Sequence, residues 1–180
     1  EKHFNEVKEF KVAVDTTKFT LVPKSLLSED TQEKILDFIY PIEKEESTHA
    51  HGILNDIMNV FALKKNTVSF LGTKMSNPIF MDANAVVLPA YANTINSAHP
   101  YSMFILVKED GFLISLFKQK ELQLHKLFES DYENDCLYHV LNICKQLKIE
   151  TKDVHLQTHG ESNKVESTTN LLLKHFEHVK

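Results

Sequence analysis

The chain has 180 residues, 42% hydrophobic and 25% charged, enough to bury one core or two small lobes and too apolar for a disordered segment. The formal charge of -5 and a pI near 6.1 argue against a nucleic-acid-binding domain, whose affinity rests on cations set against phosphates. All 20 basic residues are lysine, so phosphate can be met only by point charges and never by a bidentate guanidinium fork.

Phe4, Val7 and Phe10 recur at helical spacing before FKVAVD (Phe10 to Asp15) turns to β-branched alternation, which predicts a helix end followed by a strand. A second strand, FTLV from Phe19 to Val22, stops at Pro23. Asp30 with Glu33 reads as a capping box, opening a helix whose apolar side is Ile35, Leu36, Phe38 and Ile39 and which ends at Tyr40-Pro41. Glu43 to Thr48 is polar and reads as a solvated loop. His49 to Leu54 and Ile57 to Leu63 form a predicted hairpin around Asn55-Asp56, followed by a short helix from Lys64 closed by Gly72. Ile79 to Met81 is a brief strand. Ala83 to Ile95 is a buried helix that Pro89 kinks or splits, and Asn96 to Pro100 is the candidate lobe boundary.

The clearest strand signals lie between Met103 and Glu129. Apolar runs at Met103 to Val107 and Phe112 to Phe117 and a more openly alternating stretch at Glu121 to Phe128 are separated by Glu109-Asp110-Gly111 and Lys118-Gln119-Lys120, which predicts a three-stranded antiparallel meander. Its outer strand needs protection against edge pairing, and Glu121, Gln123, His125 and Lys126 supply polar side chains there. Ser130 with Glu133 reads as another capping box, ahead of a helix with one stripe through Cys136, Leu137, Val140, Leu141, Cys144 and Leu147. A strand from Val154 to Thr158 reaches Gly160, and Val165 to His178 closes the chain as a helix with Leu171, Leu172 and Phe176 inward.

Cys136 and Cys144, eight residues apart, fit neither a disulfide framework nor a zinc knuckle. They read as reduced thiols about 12 Å apart on one helix face, acting as small hydrophobes. His139 neighbours Cys136 but points elsewhere around the helix. No apolar run reaches the roughly 18 residues of a membrane span and no secretory segment is visible, so the expected setting is cytoplasmic, without membrane insertion. The chain begins at Glu1 inside a helical pattern, which reads as a fragment of a longer protein.

Five stretches together carry a family resemblance: DTTKFTLVPKSLL (Asp15 to Leu27), NVFAL (Asn59 to Leu63), EDGFLISLF (Glu109 to Phe117), DCLYHVLNICKQLKI (Asp135 to Ile149) and HLQTHGE (His155 to Glu161). From about Phe10 to Val179 the chain resembles an uncharacterised bacterial domain-of-unknown-function family with the actin-like ATPase fold, similar to the actin-like proteins of type IV pilus and type II secretion assembly. The resemblance implies an α/β fold (α+β mixed) of ribonuclease-H-like lobes with mixed sheets. On that resemblance the N-terminal strand set, where such folds carry their first phosphate loop, is expected to be missing. Residues 1–98 would be the remainder of the first lobe and 99–180 the second ribonuclease-H-like unit, or the whole one compact domain.

The resemblance also places a nucleotide site between the lobes. Asp110-Gly111 would hold phosphate, with Mg²⁺ through water, and His159-Gly160-Glu161 would lie on the adenosine side. The superfamily spacing is Asp, one residue, Gly directly after the first strand, whereas this chain has Lys108, Glu109, Asp110, Gly111; and a single glycine, Gly160, stands where a pair is usual. An Asp-Gly hairpin turn and a strand-to-helix turn account for these residues without a ligand. Nuclease chemistry needs a carboxylate within the first strand to hold two metal ions, and Met103 to Val107 has none.

Among the ten histidines, His49 with His51 and His175 with His178 could each give two metal ligands, which make no site without a third and fourth. His155 and His159 would stand about 13 Å apart along a strand, too far to share an ion. No metal site is expected. The family has no established activity, and the expected role is a non-catalytic interaction or assembly scaffold with a protein partner. The alternative is a nucleotide-binding actin-like ATPase.

Overall fold

The computed structural model describes residues 9–130, 132–160 and 163–180, so the helix expected around Phe4 and Val7 lies outside the described residues. The chain divides into two compact units, 1–89 and 90–180.

In the first unit, β1 (Phe10–Val14) pairs in parallel with β5 (Pro78–Asp82), Val14 opposite Asp82. A second sheet sets β4 (Ile57–Lys64) between β2 (Phe19–Pro23) and β3 (Glu46–Leu54), both antiparallel to it. β4 is the most apolar of these and lies at the centre, with Val60, Phe61, Ala62 and Leu63 buried. β3 begins at Glu46, inside the stretch expected to be loop. Lys18 explains this start: its Nζ reaches Glu46 Oε2 at 2.8 Å and the Pro41 carbonyl at 2.9 Å, pinning the polar segment to the sheet.

Helix α1 (Glu29–Ile39) starts one residue before the expected cap. Ser28 is the N-cap, and its N–H donates to Thr31 Oγ1 at 2.8 Å, so Ser28 and Thr31 do the work expected of Asp30 and Glu33. Leu36 is buried against Val22, Val60 and Ala62, whereas Phe38, expected inward, is 92% exposed. Gly72 sits inside α2 (Lys65–Lys74) instead of closing it. Pro89 splits the Ala-rich stretch into α3 (Ala83–Val86) and α4 (Leu88–Asn93).

The second unit follows the expected order of strand, strand, strand, helix, strand, helix. Strands β6 (Tyr101–Lys108), β7 (Gly111–Lys118) and β8 (Glu121–Glu129) form the meander. Helix α5 (Glu133–Leu147), strand β9 (Val154–Gly160) and helix α6 (Lys164–Leu172) follow, and the two-residue β10 (His178–Val179) ends the described chain. The sheet runs β10-β9-β6-β7-β8, with β9 parallel to both β6 and β10. One face carries Met103, Ile105, Val107, Phe112, Ile114 and Leu116 against Cys136, Val140, Ile143 and Cys144 of α5 and Leu172 and Phe176 near α6. Each fully buried Leu, Ile or Phe there contributes about 1.5–3 kcal/mol.

Several local expectations change. Ser130 is not the N-cap of α5: its hydroxyl donates to Asp135 Oδ2 at 2.6 Å and accepts from the Tyr132 N–H at 3.0 Å, and α5 begins after Tyr132. Leu147 is 49% exposed, and Ile143 takes its place in the buried stripe. His125 turns inward from the edge strand to Ser115, 2.9 Å from its hydroxyl, leaving Glu121, Gln123 and Lys126 exposed. The closing helix stops at Leu172. The N–H groups of His175 and Phe176 both donate to the Leu172 carbonyl, which tightens the last turn and releases the chain into β10.

Candidate functional site

The candidate nucleotide residues lie in the second unit, and the strand register brings them to one end of the sheet. Lys108 is opposite Gly111 across the β6–β7 hairpin, and Val107 is opposite both Phe112 and Gly160. Asp110 thus sits in a two-residue turn at the carboxyl end of β6, beside the carboxyl end of β9, where open α/β sheets commonly bind ligands. Glu161 lies outside the described residues.

The local geometry gives both glycines a packing reason. Neither of the two turn residues, Glu109 and Asp110, has a positive φ, whereas Gly111 has φ 158°. Gly111 is the first residue of β7, and a Cβ there would stand 2.2 Å from the Phe128 carbonyl oxygen. At Gly160, with φ 142°, a Cβ would stand 2.3 Å from the Val107 carbonyl oxygen. Both positions are glycine because a neighbouring strand's backbone occupies the side-chain space. The Asp110 carbonyl accepts the Ser130 N–H at 3.1 Å, and Lys164 Nζ donates to the Glu109 carbonyl at 2.8 Å. A cavity of about 10 Å³ remains between Val107, Lys108, Gly111, Ser130, Tyr132 and Lys164. That is room for about one water molecule.

The histidines part company from their sequence neighbours. His49 packs as an aromatic between Phe61 and Phe80, with ring centres at 5.8 and 5.5 Å, and burial lowers its pKa. Its Nε2 lies 3.0 Å from Ser47 Oγ. His175 and His178 no longer share a helical turn, since α6 ends before them. His159 lies over Tyr91, which stacks in turn on Phe104 at 4.4 Å. His139 rests on Phe128, ring centres 4.2 Å apart. Cys136 and Cys144 are free buried thiols, their pKa values pushed up by burial to about 12 and about 11. Among the described residues, no group of three or more His, Cys, Asp or Glu is arranged to hold a metal ion. No described helix is long and apolar enough to cross a membrane.

A buried polar cluster in the first unit escapes sequence reading. Asp82, at the carboxyl end of β5, is fully buried; its Oδ2 accepts from Asn59 Nδ2 at 3.0 Å and its Oδ1 from the Asn84 N–H at 3.0 Å. Asn84 Nδ2 also reaches Asp15 Oδ1 at 3.0 Å and the Thr16 carbonyl at 2.8 Å. Burial raises the Asp82 pKa to about 6, against the lowering effect of its three donors and with the Asp15 charge adding to the rise. The one usable sequence signal is Asp82-Ala83-Asn84 at the junction of an apolar run and an Ala-rich one.

The sequence matches the family described as protein of unknown function (DUF3822) over residues 2–179. The chain belongs to that family. No curated protein matches it. Among solved structures, this DUF3822 member is similar to a protein of Bacteroides thetaiotaomicron VPI-5482 with an actin-like ATPase fold and unknown function. The TM-score is 0.86 at 21% identity, covering 99% of this chain and 72% of that one. It is also similar to a chain of a PilM-PilN type IV pilus biogenesis complex, with a TM-score of 0.52 at 12% identity, covering 97% of this chain and 69% of that one. At such identities the likeness is one of fold. The DUF3822 chain has a mixed α/β architecture of the actin-like ATPase fold.

Proposed function

We propose that this protein is a non-catalytic interaction or assembly module of actin-like fold, acting through a protein partner. The observation that carries the reading is the filling of the Gly111 and Gly160 side-chain positions by the Phe128 and Val107 carbonyls. Glycines already required by strand pairing give no sign of a phosphate loop. The exposed face of α1 adds support: Phe38 is 92% exposed beside a half-exposed Ile39, and Leu26 stands out just before the helix. Isolated exposed apolar residues are ordinary, but an almost fully solvated Phe followed by an exposed Ile suits a contact surface. The PilM chain of similar fold was solved in a complex with PilN, which fits an interaction role.

The competing reading is binding of ATP with Mg²⁺ at Asp110, Gly111 and Gly160. One observation favours it: the register gathers these residues at one sheet end, with Lys108 and Lys164 lining the same gap. Thermal unfolding with and without millimolar Mg-ATP separates the two, because a ligand bound only by the folded state raises its stability by mass action. The expected result is no shift. A clear rise in Tm establishes the nucleotide reading in its place. For the interaction itself, Phe38→Asp should fold normally and lose a protein that co-purifies with the unaltered chain; equal recovery by both forms removes α1 as the contact face.

A further inference from the structure

Three histidines from three separate segments meet on the second unit. His155 of β9 and His178 of β10 are direct partners in the parallel register. His99, in the turn before β6, lies over both, its ring centre 5.5 Å from that of His155 and 4.3 Å from that of His178. The strand this cluster borders is short. β10 has two residues, and its attachment includes the Lys180 N–H donating to the Leu156 carbonyl at 2.9 Å and the Thr158 N–H donating to the Lys180 carbonyl at 3.0 Å.

Three imidazoles at this spacing coexist easily while neutral. A proton on the half-buried His155 is set close against the two neighbouring rings and Lys180, where repulsion is stronger than in bulk water. We propose that His99, His155 and His178 form a pH-sensitive latch that holds β10 to β9 while His155, packed against the other two rings, is neutral, and loosens it as His155 takes up a proton.

Among the described residues, none supplies a counter-charge to His155. On the β6 side its register partner is Ser102; Gln157 on its own strand lies 3.3 Å from its Nδ1. The charged groups acting on it are His99, His178 and Lys180, and each adds to the lowering of its pKa that burial begins. The acidic neighbour of His178 in sequence, Glu177, acts on Lys152. The sign follows from the lowered pKa. Below the ordinary imidazole range the unfolded segment binds protons that the paired segment refuses, so pairing is strongest above that range and is lost as pH falls through it.

Amide hydrogen exchange on the full chain tests this, at pH 7.5 and 5.5 and corrected for intrinsic rates. Protection of the Thr158 and Lys180 amides should fall about tenfold at the lower pH, the factor carried by one pKa unit of differential protonation. The amides of Ile105 and Ile114, at the sheet centre, should keep theirs. His178→Gln, at an exposed position, should flatten the response. His99→Gln, outside every strand, should do the same if the first variant weakens β10 at all pH values. Unchanged protection at pH 5.5 overturns the latch. So does an equal loss throughout the sheet, or the same fall in both variants.

Discussion

Gly111 and Phe128 are locked by their backbones: the Phe128 carbonyl oxygen lies 2.2 Å from where a Cβ on residue 111 would be. Gly160 stands in the same relation to Val107, at 2.3 Å. Alanine at either position must push two strands apart, at a cost of about 3 kcal/mol, the upper range for overpacking. Urea unfolding of Gly111→Ala and Gly160→Ala should show that loss. Unchanged stability in either variant would show that the neighbouring strand does not approach that glycine so closely.

Asp82 predicts a pH dependence of the opposite sense to the histidine latch. Its carboxyl ionises near 3.8 when unfolded and about 6 when buried, so in that window the folded chain holds a proton that the unfolded chain has released. Folding stability therefore falls as pH rises from about 4 to about 6 and stays lower above it, by on the order of 3 kcal/mol. Asp82→Asn removes the titration and can offer an N–H toward Asn59 Oδ1, which has no hydrogen-bond partner among the described residues. The variant should gain on the native chain between pH 4 and pH 7 in chemical unfolding. A constant difference would show that Asp82 does not titrate there.

Helix α5 ends at Lys148, held at φ 56° and ψ 43° in the left-handed region, with the Ile149 N–H returning to the Cys144 carbonyl at 2.8 Å. A residue with a Cβ pays for that backbone, and glycine does not. Lys148→Gly should stabilise the protein by about 1 kcal/mol, read as a higher urea midpoint at unchanged slope.

The thiols of Cys136 and Cys144 should resist alkylation. Their pKa values of about 12 and about 11 leave little thiolate at pH 8, and both are buried in the sheet–helix core. Iodoacetamide should modify the native chain at least about a hundredfold more slowly than a free cysteine, and modify both sites once urea unfolds it. Fast labelling of either in the native state would place it outside the core.

What sequence revealed depended on how local its causes were. The three strands after Tyr101 and the α5 stripe rest on apolar runs and neighbouring turns, and both lie where periodicity puts them except at the end of the stripe, where Ile143 is buried in place of Leu147. Phe38 looked like part of an apolar face, but α1 buries Leu36 and turns Phe38 outward, an orientation set by β2 and β4 rather than by the helix itself. β10 was missed because two residues make no period, and its partner is more than twenty positions away. The glycines were visible, but the carbonyls that demand them belong to other strands. Asp15, Asn59, Asp82 and Asn84 are scattered along the chain and become one cluster only through sheet pairing.

The meander and its parallel neighbour also differ in how they must assemble. β6, β7 and β8 are joined by two-residue turns, so their ladder closes through short loops. Pairing β6 with β9 brings Val107 to Gly160, closing a loop of about fifty residues at a larger entropic cost. Loop closure therefore orders the events: the hairpins can form by themselves, and β9 enters once α5 gives it a surface to join. Gly160, at the far end of that late ladder, governs how long the folded unit stays closed more than how quickly it forms.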